Sequence, residues 1–370
     1  MTHSHDLLAQ LADIDPAGAL AQARATRDAA TRHVQGSYEV LFSQQESDFP
    51  LAERLALAAQ VAEWHGAERL RAHYTAHPTY QPLSDDARHQ QARDFAQRLT
   101  VEPIAAAPSH IDALRDAGWS ERGVVTLAQL VGFISFQSRL LAGLRLLQGE
   151  ESGSPAHAAV AGRWHSAAQT ASGQTALTAF TQAELGWEPW LAAKPLAEFS
   201  ADEQAILARF GHSDSDYFRL LARNQPVLEQ RTLTDKGIFY TSGGLPRAER
   251  ELAATVASKI NGCIYCASVH ARKASQLSKD NDAVQKLLNV APGAVLSHGQ
   301  SPRWAAEIDF AASLSVTPPA VRLNQLQALR DQGLDTLALL DLIQSTAFFA
   351  WANRLMLTLG EPFLPSDAQG

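Results

Sequence analysis

The stretch Glu249–Ala274 reads ERELAATVASKINGCIYCASVHARKA. Leu252, Val256 and Ile260 recur every four residues, the spacing that puts apolar side chains on one face of a helix. Pro246 just inside the segment's start and Gly262 after its end bound that helix to about Pro246–Ile260. Asn261-Gly262 breaks it, and a second helix begins near Cys263. Helix signals dominate outward from this stretch. Ser200 and Glu203 form a capping box ahead of the segment DEQAILARF. Alternating β-branched runs with hairpin turns are scarce, so the sequence predicts an all-α fold.

Duplication is the second organising reading. PLAER at Pro50–Arg54 returns as PRAER at Pro246–Arg250, an offset of 196 (246 − 50). ALRDAG at Ala113–Gly118 returns as ALRDQG at Ala328–Gly333, an offset of 215 (328 − 113), which also aligns Phe133 with Phe348 and Arg139 with Arg354. Two ordered matches over a shared apolar pattern predict a tandem repeat of one helical domain. Residues 1–150 then form the first copy, 151–180 an Ala/Ser/Gly-rich and partly helical linker, and 181–370 the second copy. Trp187, Pro189, Trp190 and Pro195 mark an ordered, non-helical arm, its Trp residues packed over a core or a subunit contact.

Composition narrows the function. Of 370 residues, 31 are Lys or Arg and 39 are Asp or Glu, a formal charge of −8. That balance, without a dense basic run, argues against a nucleic-acid partner or an anionic membrane surface. No apolar run reaches the roughly 18 residues that a membrane helix needs. The start MTHSHDLLAQLADIDPAG has no basic region followed by an apolar core, so the expected location is cytoplasmic. Only two cysteines occur, three positions apart. In a reducing compartment such a pair serves catalysis, redox sensing or metal binding more often than a disulfide framework.

The chemistry concentrates at four residues. A Cys-x-x-Cys at a helix start meets unpaired backbone N–H groups and the positive end of the helix dipole, which favour a thiolate. Cys266 and His270 are four apart and share a helical face, where the imidazole can take the thiol proton. Cys263 is one turn back, within disulfide reach. Glu251, on the preceding helix, can orient His270 or relay protons. Helix position favours Cys263 as nucleophile and the His partner favours Cys266; the residues by themselves leave that open. Two buried structural cysteines, or a zinc site using Cys263, Cys266, His270 and Glu251, are the competing readings, and zinc lacks the second ligand pair that structural sites use. His73 and His77, also four apart, lack a third ligand and read as a solvated face. No flavin or nucleotide fingerprint appears, so no cofactor and no metal are expected.

Glu251, eleven residues, Cys263-x-x-Cys266, three residues and His270 together resemble the alkyl hydroperoxidase D and carboxymuconolactone decarboxylase superfamily, more narrowly its peroxidase-related branch with an alkylhydroperoxidase domain. AFFAWANRLMLTLG, Ala347–Gly360, resembles that branch's closing helix. The resemblance spans roughly Trp187 to Gly360 and covers the first half only in outline. It implies an all-helical domain that assembles as a homo-oligomer and reduces hydroperoxides. Cys266 would attack the peroxide, Cys263 would resolve the sulfenic acid to a disulfide, His270 and Glu251 would move protons, and an external dithiol would reset the site. In the hydroperoxidase a His precedes the second Cys, whereas here Tyr265 stands there as pocket wall or hydrogen-bond donor. At the 196-residue offset Glu251, Cys263, Cys266 and His270 meet Leu55, Ala67, Leu70 and Tyr74, so the first copy reads as catalytically silent. The favoured function is a peroxiredoxin-type, thiol-dependent peroxidase acting on hydroperoxides or a related oxidant. Dithiol–disulfide exchange with another thiol partner, and a non-turnover redox sensor or scaffold, are the alternatives.

Overall fold

A computed structural model describes residues 6–43, 48–153, 159–165 and 167–365. The chain is mostly helical. The first half holds α1 (Leu7–Leu11), α2 (Ala19–Thr26), α3 (Asp28–Leu41), α4 (Leu51–Trp64), α5 (Glu68–Thr75), α6 (Ala87–Val101), α7 (Pro108–Asp116) and α8 (Glu121–Leu147). The second holds α9 (Ala201–Phe210), α10 (Asp216–Leu221), α11 (Gln225–Phe239), α12 (Arg247–Asn261), α13 (Ile264–Ser278), α14 (Asn281–Asn289), α15 (Pro302–Ser315), α16 (Leu323–Asp331) and α17 (Thr336–Thr358). Strict all-α is corrected by a two-stranded antiparallel ribbon, β1 (Gly186–Pro189) against β2 (Gly360–Phe363). It forms in the Trp-rich arm, where Trp187 Nε1 donates to the Met356 carbonyl (3.1 Å) and Trp190 Nε1 to Glu361 Oε1 (2.9 Å).

The expected helix boundaries fall within one residue of those observed. Pro246 is the N-cap of α12 and not its first turn, and Gly262 caps the far end with φ 76°. That left-handed backbone favours glycine, and a Cβ there would also meet the Arg163 carbonyl oxygen at 2.0 Å. The Ser200/Glu203 capping box is formed, with Ser200 N–H donating to Glu203 (2.8 Å) and Glu203 N–H to Ser200 (3.3 Å).

Two long helices, α8 and α17, run antiparallel through the centre. Gly132 permits their approach, because a Cβ there would sit 2.4 Å from Trp351 Cδ1. Trp351 Nε1 donates to Gln129 Oε1 across the same seam (2.8 Å). Contrary to the expectation that no apolar run is long enough, α8 could cross a membrane by length and composition. Its apolar window is wholly buried against the rest of the protein, which accounts for that composition.

The two halves share local geometry at the positions the sequence offsets align. The α4 and α12 helices follow Pro50 and Pro246. Arg54 is fully buried and donates to the Phe49 carbonyl (2.8 Å); Arg250 is equally buried and donates to the Leu245 carbonyl (2.9 Å). At offset 196, α5 and α13 start at Glu68 and Ile264; at offset 215, α6, α7 and α8 start where α15, α16 and α17 do. The extra residues lie between α13 and α15, where α13 outlasts α5 and α14 is added.

An ion cluster joins the halves. Asp341 on α17, 1% exposed, accepts from Arg27 Nε (2.7 Å), Arg27 Nη2 (2.9 Å), Arg250 Nη2 (3.1 Å) and Leu245 N–H (2.9 Å). The expected linker, residues 151–180, contains no helix among its described residues. Part of it lies against the end of α12, with Gly162 N–H on the Lys259 carbonyl (2.9 Å). Residues 154–158 and 166 of that linker fall outside the described residues.

Candidate active site

Two helices, α12 and α13, bring the predicted site residues together. Cys263 is the N-cap of α13, and Cys266 and His270 follow on its first two turns. Glu251 stands in the first turns of α12, which packs along α13. Its carboxylate is fully buried, not at the edge of the apolar face. His270 Nδ1 lies 2.5 Å from Glu251 Oε2, and Arg247 Nε donates to Glu251 Oε1 at 2.6 Å. An ionised carboxylate only accepts, so the Nδ1 of His270 carries the donated proton and Nε2 is left for the cavity. Burial pushes the Glu251 carboxyl up. The hydrogen bond from His270 and the charges of His270, Arg247 and Lys273 outweigh it and hold the group below its ordinary range.

Both cysteines are free thiols and buried, Cys263 1% and Cys266 5% exposed. Cys263 lies near Cys266, and the electrostatics of its thiol are set by Cys266 and by Asn353 of α17. Asn353 is held by Asn261 (3.0 Å) and by Ser258 (3.0 Å). Burial pushes the Cys263 thiol far up, aided by the neighbouring Cys266, and overrides the Cys266 backbone N–H and Asn353. At Cys263, burial thus works against the thiolate that a helix start favours.

The two sulfurs face different spaces. Cys266 lines a cavity of about 170 Å³ together with Glu251, His270 and Tyr265. Cys263 lines a smaller one, about 40 Å³, bounded by Trp164, His165, Leu177 and Met356. Tyr265, half-buried, forms wall in both. The four candidate residues are thus adjacent, but among the described residues no three His, Cys, Asp or Glu side chains gather as a metal-ligand set. His73 is engaged by Tyr38 of α3 (2.9 Å) and His77 Nδ1 by Thr79 N–H (3.1 Å).

Residues 225–299 form a carboxymuconolactone decarboxylase family domain. The family's sequence model begins at the first residue of α11 and runs past α14, so it takes in the whole Glu/Cys/Cys/His constellation. The crystal structure of an alkylhydroperoxidase AhpD core, an uncharacterised peroxidase-related protein from Ralstonia eutropha JMP134, is similar at 22% identity and a TM-score of 0.36, over 44% of this chain and 85% of that one. No curated protein matches the chain.

The Cys266 cavity also has lining residues that the sequence reading missed, some within residues 225–299 and some on α17. Arg231 and Asp235 on α11 line the Cys266 cavity, as do Arg247 and Lys273. Burial pushes the half-buried Asp235 carboxyl up, against the pull of Arg231, His270 and Lys273. Phe348 and Phe349 of α17 and Phe239 of α11 supply the apolar side, with the Phe349 ring 4.3 Å from His270. The sequence signals for α11 are Pro226 in its first turn and the i, i+4 spacing of Arg231 and Asp235.

Proposed function

We propose that the protein reduces hydroperoxides through a Cys266/Cys263 dithiol cycle. One observation carries this reading: Cys266, His270 and Glu251 line a single cavity, while Cys263 lies near Cys266 on the other side. His270 Nε2 takes the Cys266 proton, and Glu251 holds the imidazolium. The thiolate attacks the outer oxygen of ROOH; the S–O bond forms, the O–O bond breaks, and the leaving alkoxide takes the proton from His270 to give ROH. The Cys263 thiol then attacks the sulfenic sulfur. An S–S bond forms, and hydroxide leaves with the Cys263 proton as water. An external dithiol restores both thiols and is itself oxidised to a disulfide.

The family domain supports this at the level of a peroxidase-related enzyme. The separate opening on Cys263 gives the reductant an approach distinct from the oxidant's, and it also favours a second reading, exchange with another protein thiol. The first half we infer to be a degenerate copy. Leu55, Leu70 and Tyr74, at the positions of Glu251, Cys266 and His270, are core residues there, and Tyr74 is tied to Gln137 (2.5 Å). We place the protein in the cytoplasm, as a homo-oligomer. Steady consumption of an organic hydroperoxide with a dithiol donor is the expected result. Consumption that stops after one equivalent, with the donor present, would reject the enzyme reading.

A further inference from the structure

Arg231 is 6% exposed and lines the Cys266 cavity. Its guanidinium carbon sits 5.2 Å from the Phe348 ring centre, 5.8 Å from Trp351 and 6.0 Å from Tyr217. Its Nε has no hydrogen-bond partner, and among the described residues no carboxylate pairs with it. Arg139 and Arg354 share the unpartnered Nε, but every buried arginine other than Arg231 places at least one guanidinium nitrogen on a protein acceptor. Arg24 and Arg27 hold Asp6 and Asp341, Arg54 and Arg250 hold backbone carbonyls, and Arg139 and Arg354 hold carbonyls and Thr317. A buried guanidinium left open toward a cavity is costly unless a ligand fills its donors.

The cavity sets what that ligand is. Its volume, about 170 Å³, exceeds the roughly 150 Å³ that accommodates benzene, and is several times what a hydrogen peroxide molecule needs. Phe239, Phe348, Phe349 and Met356 give it apolar walls. Arg247 is engaged by Glu251, so Arg231 and Lys273 face Asp235 alone, a surplus of one positive charge. We propose that Arg231 determines specificity by binding the carboxylate of a small, apolar-bodied organic hydroperoxide whose peroxide end reaches Cys266. The planar fork matches a carboxylate bidentately, and the aromatic box holds it in orientation. The inference rests on the peroxidase reading for the peroxide end of the substrate, and on Arg231 alone for the carboxylate end.

Calorimetric titration of the reduced full chain with benzoate and with benzyl alcohol tests the carboxylate end without turnover. Benzoate is expected to bind about tenfold or more tighter. In Arg231→Gln that preference falls to about one, and Arg231→Lys retains only part of it, since an ammonium keeps the charge but not the fork. The kcat/KM ratio of para-carboxylated to plain cumene hydroperoxide is expected to drop about tenfold in Arg231→Gln. A parent protein with no preference for benzoate overturns the proposal, whether or not the variants fold. So does an Arg231→Gln variant in which both ligands weaken equally, as a merely structural role requires. Benzoate preference in a protein that turns over neither hydroperoxide upholds Arg231 as a carboxylate site, rejects the peroxidase reading, and with it rejects the hydroperoxide end of the proposed substrate.

Discussion

His270 and Glu251 are joined by a 2.5 Å contact between Nδ1 and Oε2, and the second carboxylate oxygen is held by Arg247. A fully buried carboxylate fixes the imidazole's tautomer and steadies the cation that forms when it accepts the Cys266 proton. Glu251→Gln keeps the volume and loses the charge, so peroxide turnover is expected to fall about 10²-fold, at the low end of acid–base contributions. The sign with pH is defined. The carboxyl is held below its ordinary range, so its contribution is complete above that range and is lost as pH falls through the lower folded value. The acid limb of the parent's pH–rate profile lies below the ordinary carboxylate range and disappears in Glu251→Gln. Superimposable profiles would remove Glu251 from the relay.

The separation of the two sulfurs between two cavities predicts opposite outcomes for the two serine variants. Cys266→Ser should yield no sulfenic acid on addition of peroxide. Cys263→Ser should form it and keep it, because the resolving thiol is gone. One equivalent of peroxide should remove two thiols from the parent with no crosslink between subunits, read by thiol titration and non-reducing electrophoresis. Sulfenate trapped in Cys266→Ser and absent in Cys263→Ser would exchange the roles.

Much of this site was legible because it is local. Cys263, Cys266 and His270 share α13, and Glu251 lies on the adjoining helix, so spacing and a Gly262 break suffice to bring them together. The other wall was not legible. Arg231 and Asp235 arrive on α11 and Phe348 and Phe349 on α17, placed by tertiary packing that a helical period cannot encode. Burial also reversed a local expectation: the helix start should lower the Cys263 thiol, yet desolvation raises it. The β1–β2 ribbon escaped because four-residue strands rich in Gly and Pro carry no alternating pattern. In α8 the apolar run reflects a helix buried on every side.

Asp341 pairs with two guanidinium groups from different parts of the chain, Arg27 and Arg250, where all three side chains are nearly inaccessible. Removing one partner from such a cluster leaves buried charge uncompensated. Asp341→Asn is therefore expected to lower unfolding free energy by about 3–5 kcal/mol. Denaturant titration at neutral pH measures it. A loss below about 1 kcal/mol, the worth of an exposed pair, would show that water reaches the cluster.

Glu307 on α15 gives the clearest pH signature outside the site. It is 1% exposed, neither carboxyl oxygen has a hydrogen-bond partner, and Arg303, 3.3 Å away, is committed to Glu249 through two bonds of 2.8 and 2.6 Å. Burial first, and the charge of Glu249 second, push its carboxyl up to about 9. The folded protein therefore keeps a proton that the unfolded chain releases. That group's contribution is complete below the ordinary carboxylate range and is lost as pH rises through about 9. Glu307→Gln is uncharged throughout, so it should be more stable than the parent by about 1–3 kcal/mol near pH 8, an advantage that shrinks toward pH 5. Guanidinium unfolding midpoints at both pH values decide it: parallel profiles for variant and parent would mean that Glu307 is ionised in the fold, with Arg303 shared between two carboxylates.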